Sequence, residues 1–310
     1  MKCSLNPFMS AWALPEMIRK SSNEEICNMN DQNSKSQTVG LMVEFPPSKD
    51  IGQAEKFRRK RDRILTVASP LILLLIWEIV IQLGLLDRRL FPAPSMIAGT
   101  FYELIVSGAL WDDLSISLLR ICVGFFFGAI AGIFVGTMMG VIPVVGAVLS
   151  PIIASIYPIP KIAIFPLIMV LFGLGEMSKF VVVAIAVFFY MVINTVAGVS
   201  NVESIYKDVG RSFRVSKIRS VFKITLPAAM PMIIAGLRVS AGVSLLVLVS
   251  AEFVGAESGI GYLVWNSWQI FDVRSMFVGI IVIGFLGWAS FTFLDFIERA
   301  CLPWAPKNRR

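Results

Sequence analysis

Six apolar stretches, each near the roughly 20 residues needed to cross a bilayer, alternate with polar segments along most of the chain. They predict spans at 64–84, 116–141, 149–172, 180–199, 228–254 and 275–297. The third contains Pro151, Pro158, Pro160 and Pro166, so it cannot be one straight helix. Broken backbone is tolerated at membrane depth only where protein or a water-filled cavity satisfies the freed polar groups. Between the first two spans, Phe91-Pro92-Ala93-Pro94-Ser95 opens a short amphipathic stretch, 95–107, expected at the outer interface. Between the last two, 255–274 reads as a short re-entrant or interfacial helix anchored by Trp265 and Trp268.

Composition agrees with this pattern. Of 310 residues, 56% are hydrophobic and 16% charged, against about 45–50% and about 25% in soluble domains. The fold class is therefore an all-α integral membrane protein with six transmembrane helices. There is no histidine, which removes Ser-His-Asp and Cys-His nucleophiles, the HExxH zinc site and histidine proton relays. Cys3, Cys27, Cys122 and Cys301 form no CxxC pair, so they read as free thiols with no metal site. No GxxxxGK[ST] loop is present, so the chain is not expected to be an enzyme or to hold ATP itself.

The net charge of +7 is concentrated in three places. Segments 56–63, 203–223 and 299–310 hold 16 of the 28 Lys and Arg residues. In the alternate loops Asp87, Glu103, Asp112, Asp113, Glu176, Glu257 and Asp272 outnumber Arg88, Arg89, Lys179 and Arg274. Basic loops stay cytoplasmic, which predicts a multi-pass protein with both termini inside. The charge also favours anionic membrane lipid, and nucleic acid is not an expected partner.

Residues 1–55 are polar, with no apolar run after a basic start, so they read as a disordered cytoplasmic tail rather than a signal peptide. Met29 and Met42 offer alternative starts. Four regions follow: the tail 1–55; a basic flank, first transmembrane helix and external linker over 56–112; a transmembrane core over 113–298 with a cytoplasmic loop at 203–227; and a basic cytoplasmic tail over 299–310.

Three features invite a mechanism. Gly124, Gly128, Gly132, Gly136 and Gly140 line one ridge of the second span, where small residues let another helix approach closely. Static packing is the first reading of this row, and a seam beside a moving pathway is the second. Glu78, Arg120, Lys161, Arg238, Glu252 and Asp295 lie within spans, where each needs a partner or water. Arg120, Arg238 and Asp295 are near span ends and are expected to snorkel. Lys161 and Glu252 are deeper and are candidate pathway residues; Lys161 would suit an anionic solute, and an ion pair between the two accounts for it equally well. Lastly, a basic segment between the fourth and fifth spans reads DVGRSFRVSKIRSVFKITLP from Asp208.

That segment resembles the cytoplasmic loop of the six-span permease subunits of type I ABC importers, with the pattern EAA-x3-G-x9-I-x-L-P. Asp208, Val209 and Gly210 stand for the EAA triplet, Arg214 for the glycine, Ile224 for the isoleucine and Leu226-Pro227 for the end; Ser216 lies between. The spacing fits throughout, while Asp, Val-Gly and Arg214 depart from the pattern. The runs LFPAPS, YPIPKIAIFPLIMVLFGLGEMSK and IIAGLRVSAGVSLLVLVSAEFVGAESGIGYLVW are similar to the nitrate, sulfonate, taurine and bicarbonate branch of that family.

The resemblance implies a type I ABC importer permease fold in the bacterial inner membrane. It also implies a homodimer working with two cytoplasmic ATPase subunits, which hydrolyse ATP with Mg, and an external solute-binding protein. The solute would be a small anion such as a sulfonate, nitrate, taurine or bicarbonate; thiamine-precursor-like heterocycles are the alternative. Asp208 to Pro227 would couple the spans to ATP. The rivals from other classes are an ATP-independent secondary transporter and a membrane scaffold.

Overall fold

The computed structural model describes residues 49–302, and among them there are helices and no strands. Helix α1 runs Lys49–Gln82, α2 Pro94–Val106, α3 Ala109–Val141 and α4 Pro143–Ile156. After a 3₁₀ turn at Lys161–Ile164 come α5 (Phe165–Phe172), α6 (Glu176–Ser200) and α7 (Ser204–Ser212). Helix α8 (Lys217–Ser220) continues through a π-helical turn, Val221–Thr225, into α9 (Leu226–Gly255). Helices α10 (Ile260–Gln269) and α11 (Val273–Cys301) complete the described chain.

The chain divides after Ala68. Among the described residues the first part holds the start of α1, polar as far as Arg63 and apolar from Ile64 to Ala68. That start corrects the expected tail: 49–55 are already helical. Low hydrophobicity suggested disorder there, but KDIGQAEKFRRKRDR is rich in Lys, Arg, Glu, Gln and Ala, which lose little entropy in a helix. The rest of the 1–55 tail and most of the 299–310 tail lie outside the described residues.

In the second part, the predicted spans appear as helices. Among the described residues five helices are long and apolar enough to cross a bilayer, the first of them from Ile64, and a bent pair, taken as one span, brings the number to six. The pair is the proline-broken third span, in which Pro143–Ile156 and Lys161–Phe172 meet at 88°. The interfacial stretches predicted at 95–107 and 255–274 are α2 and α10.

The glycine ridge of α3 packs along α6. A Cβ on Gly124 would stand 2.7 Å from Val183 Cβ, and one on Gly136 2.7 Å from Thr195 Cβ. Gly128 abuts the Ala184 carbonyl and Val187, Gly132 abuts Met191, and Gly140 abuts Val199. Those α6 partners, Val183, Val187, Met191, Thr195 and Val199, recur every fourth residue and are buried, so two four-residue ridges run side by side over more than four turns. In lipid the hydrophobic effect does not drive helices together, and close backbone approach supplies dispersion contacts instead. Helix α9 packs on α6 in the opposite direction: Gly198 lies against Ala229 and Met232, and Gly236 against Asn194. The core therefore sits on α6, with Val182, Val183, Ala186, Met191 and Leu248 sealed inside. Outward-facing positions such as Leu73, Val170 and Phe285 are exposed and apolar, as lipid requires.

Charges in the spans find partners. Glu78 accepts from the Ser95 amide at 3.0 Å and the Ser95 hydroxyl at 2.8 Å, capping the start of α2. Arg238 donates to Asp295 and Glu298, joining α9 to α11. Cys122 and Cys301 are unpaired.

Candidate functional site

The break in the third span leaves the end carbonyls of α4 without helical partners. Pro158 and Pro160 prevent the chain from continuing the helix. Lys161 turns back and donates to the carbonyls of Ile156 (2.9 Å), Tyr157 (3.0 Å) and Ile159 (2.8 Å). All three ammonium protons are thereby used. The same ammonium lies 4.5 Å from the centre of the Phe189 ring, a cation–π contact in a buried setting.

This break opens a pocket of about 280 Å³. Its walls are the broken segment Tyr157–Ile162, Tyr190 of α6, and Val243, Leu246, Val247 and Ser250 of α9. The Tyr157 and Tyr190 rings meet edge to face with centroids 5.4 Å apart. Lys161 lines this pocket, and its charge is directed into the backbone of its own break.

Glu252 lies two residues beyond Ser250 of the pocket wall and is not paired with Lys161. It is fully buried and bonded to Arg120, whose Nη1 donates at 2.6 Å to its Oε1. This overturns the expectation that Arg120 snorkels: its side chain is 1% exposed. Arg120 Nη1 also donates to the Ser258 carbonyl at 2.7 Å. Its Nε and Nη2 grip Glu176, the first residue of α6, at 2.6 and 2.7 Å. Ser117 donates to Glu252 Oε1 at 2.8 Å.

The start of α10 closes the same cluster. The Gly259 amide donates to Asp113 (2.7 Å), the Ile260 amide to Ser117 (2.9 Å) and the Gly261 amide to Glu252 Oε2 (2.8 Å). Two carboxylates and a hydroxyl thus satisfy the free N–H groups of a helix N-terminus. Gly259 has φ +117°, and a side chain there would run into Glu252 and Arg120. This cluster was not assembled from the sequence. The signal available was an Arg and a Glu inside spans, each needing a partner, with nothing to say that they were each other's.

At the opposite end of α6 and α9, the DVGRSF…LP segment is two short helices joined by a turn. Helix α7 carries Asp208, Val209 and Gly210; the Val215 amide donates back to the Gly210 carbonyl at 3.0 Å. Arg214 sits in the turn with φ 51°, in the left-handed region. A glycine pattern at this position has a plain physical reason, since only glycine enters that region without a Cβ penalty. Ser216 starts α8, whose Ser220 amide donates to the Ser216 carbonyl. Gly210 is buried, and Ile224 packs on it with Cδ1 2.7 Å from where a Cβ would stand. Leu226 and Pro227 open α9. Phe213 and Ile218 are 79% and 74% exposed at the tip, beside Arg214, Lys217 and Arg219.

Comparison with known proteins places these features in a wider set. Residues 124–304 match the family described as binding-protein-dependent transport system inner membrane component. A putative aliphatic sulfonates transport permease protein of Bacillus subtilis is 34% identical over 256 residues, covering 81% of this chain and 93% of that protein. The taurine transport system permease protein of Escherichia coli is 30% identical over 79% of this chain and 90% of its own. A nitrate import permease protein of Synechocystis is 30% identical, with 79% and 95% covered. Among solved structures, inward-facing MetNI methionine ABC transporter superposes with TM-score 0.58 at 19% identity, covering 63% of this chain and 97% of that one. That last likeness concerns the fold alone.

Proposed function

Because the chain belongs to the binding-protein-dependent transport system inner membrane components, we propose that it forms the membrane pathway of an ATP-driven importer for a small organic or inorganic anion. It is an inner-membrane permease of the ABC importer class, whose work requires an ATPase and a solute-binding protein as partners. In this reading two copies pair, both termini face the cytoplasm, and two ATPase subunits dock on Asp208–Pro227. The relatives named for sulfonates, taurine and nitrate support an oxyanion class of solute. The pocket at the broken third span would belong to its route.

One observation carries the coupling role. A loop that served only to hold positive charge inside would need no apolar tip, yet Phe213 and Ile218 are exposed between basic residues. Exposed apolar side chains rimmed by polar ones mark contact with another protein. Rigid-body motion of a docked ATPase would then reach α6 and α9, which leave and enter this loop. The secondary-transporter rival needs a deep carboxylate free for ion coupling. Glu252 is instead engaged by Arg120, Ser117 and the Gly261 amide.

Deleting 210–218 tests the reading: the protein should still insert in the membrane but lose its ATPase partner on purification. Stoichiometric ATPase on the deleted chain would refute the docking role. Growth of a deletion strain on taurine, other sulfonates or nitrate as sole source would then assign the solute.

A further inference from the structure

The loop at one end of α6 and α9 and the Arg120 cluster at the other bound a closed frame. Helix α6 runs from Glu176 to the loop, and α9 runs from the loop to Glu252. Between these ends the two helices meet in packed contacts such as Gly198 on Ala229 and Met232 and Gly236 on Asn194, which are less directional than charge-assisted bonds. Compliance is built into the loop end of α9, where a π-helical turn precedes Pro227 and Pro231 lies within the helix. At the far end the constraint is of another kind. Arg120 of α3 holds the first residue of α6, the last turn of α9 and the chain entering α10 with charge-assisted bonds of 2.6–2.7 Å. Such bonds in a buried site are short and directional, so they fix orientation as well as distance. The pocket wall residues Val247 and Ser250 lie within two turns of Glu252 on the same helix.

We propose that Arg120 and Glu252 are positioning residues of transport, binding α3, α6, α9 and α10 into one unit that carries displacement of the loop to the pocket wall. The inference rests on the importer reading above. With the clasp intact, a push on the ends of α6 and α9 moves their far ends together and reshapes the pocket. With it broken, the same push is absorbed by sliding between α6 and α9.

The test uses the permease with its co-expressed ATPase in lipid nanodiscs, with native cysteines replaced and Ser250→Cys as reporter. Labelling by a membrane-impermeant maleimide is compared without nucleotide and after trapping with ATP and vanadate. In the otherwise unmutated chain the labelling rate should change at least about fivefold, the lower range of coupling between sites. In Arg120→Gln and Glu252→Gln that response should vanish while ATP hydrolysis continues. Glu176→Gln removes the half-exposed partner of Arg120 and guards against simple failure to fold; it should weaken the response. A full nucleotide response in these variants would overturn the proposal.

Spin labels at Met177→Cys on α6 and Gln269→Cys on α10 supply a second readout that needs no ATPase. The distance distribution should be narrow in the parent and broad in Arg120→Gln; a narrow one in both would also overturn it. If no ATPase associates and the parent ignores nucleotide, the importer reading fails, while the spin-label result still judges the clasp.

Discussion

The Lys161 ammonium faces the ring of Phe189 at 4.5 Å while donating its protons to three carbonyls of its own broken span. A cation in this position closes the backbone of the break. Replacing it by an isosteric apolar chain leaves those carbonyls without their donor.

Lys161→Met should therefore lower the stability of the purified protein by about 1–3 kcal/mol, the cost of leaving buried polar groups unsatisfied. A thermal melt in detergent checks this, with a lower midpoint expected. An unchanged midpoint with lost uptake would instead mean that the ammonium meets the solute.

Arg214 occupies a left-handed turn that suits glycine. Arg214→Gly should relieve about 1 kcal/mol of local strain, and slower hydrogen exchange over 208–217 would report it. Arg214→Val should act in the opposite direction, because a β-branched side chain tolerates positive φ least. Faster exchange in the glycine variant would contradict this account.

Gly210 and Ile224 set the spacing of the two short helices. Gly210→Leu should separate them and reduce ATPase co-purification sharply. Gly210→Ala should be mild, since the contacting atom is the flexible end of Ile224. Ile224→Ala combined with Gly210→Leu should restore part of the association, and a double variant no better than the single one would argue against the contact.

The α3 ridge should tolerate nothing larger than glycine at its centre. Gly128 abuts the α6 backbone at Ala184, which cannot yield as a side-chain end would. Gly128→Leu is expected to cost more than the roughly 1–3 kcal/mol of ordinary overpacking and to abolish a monodisperse peak in size-exclusion chromatography. Gly284 of α11 has nothing within 4 Å of a would-be Cβ. There Gly284→Ala should preserve the peak and raise helix stability by up to about 1 kcal/mol.

The sequence by itself determined the spans, the break at Pro158 and Pro160, the glycine ridge and the loop from Asp208 to Pro227. Each answers a local demand: lipid needs about 20 apolar residues per crossing, proline removes a donor, and close helix approach needs missing side chains. The start of α1 was less legible, because hydropathy reports burial and says little about a polar helix whose residues have high propensity. Only the tertiary structure decided who pairs with whom. Arg120 is joined to Glu252 and Glu176, and Lys161 to its own backbone, although span position alone made Lys161 and Glu252 an equally reasonable pair. A charge in a span announces that it needs a partner, but any opposite charge or free carbonyl at the same depth would serve. Which one it meets depends on the register of α3, α6 and α9, set by Gly124, Gly132 and Gly136 of α3 against Val183, Met191 and Thr195 of α6, and by Gly198 and Gly236 where α6 meets α9.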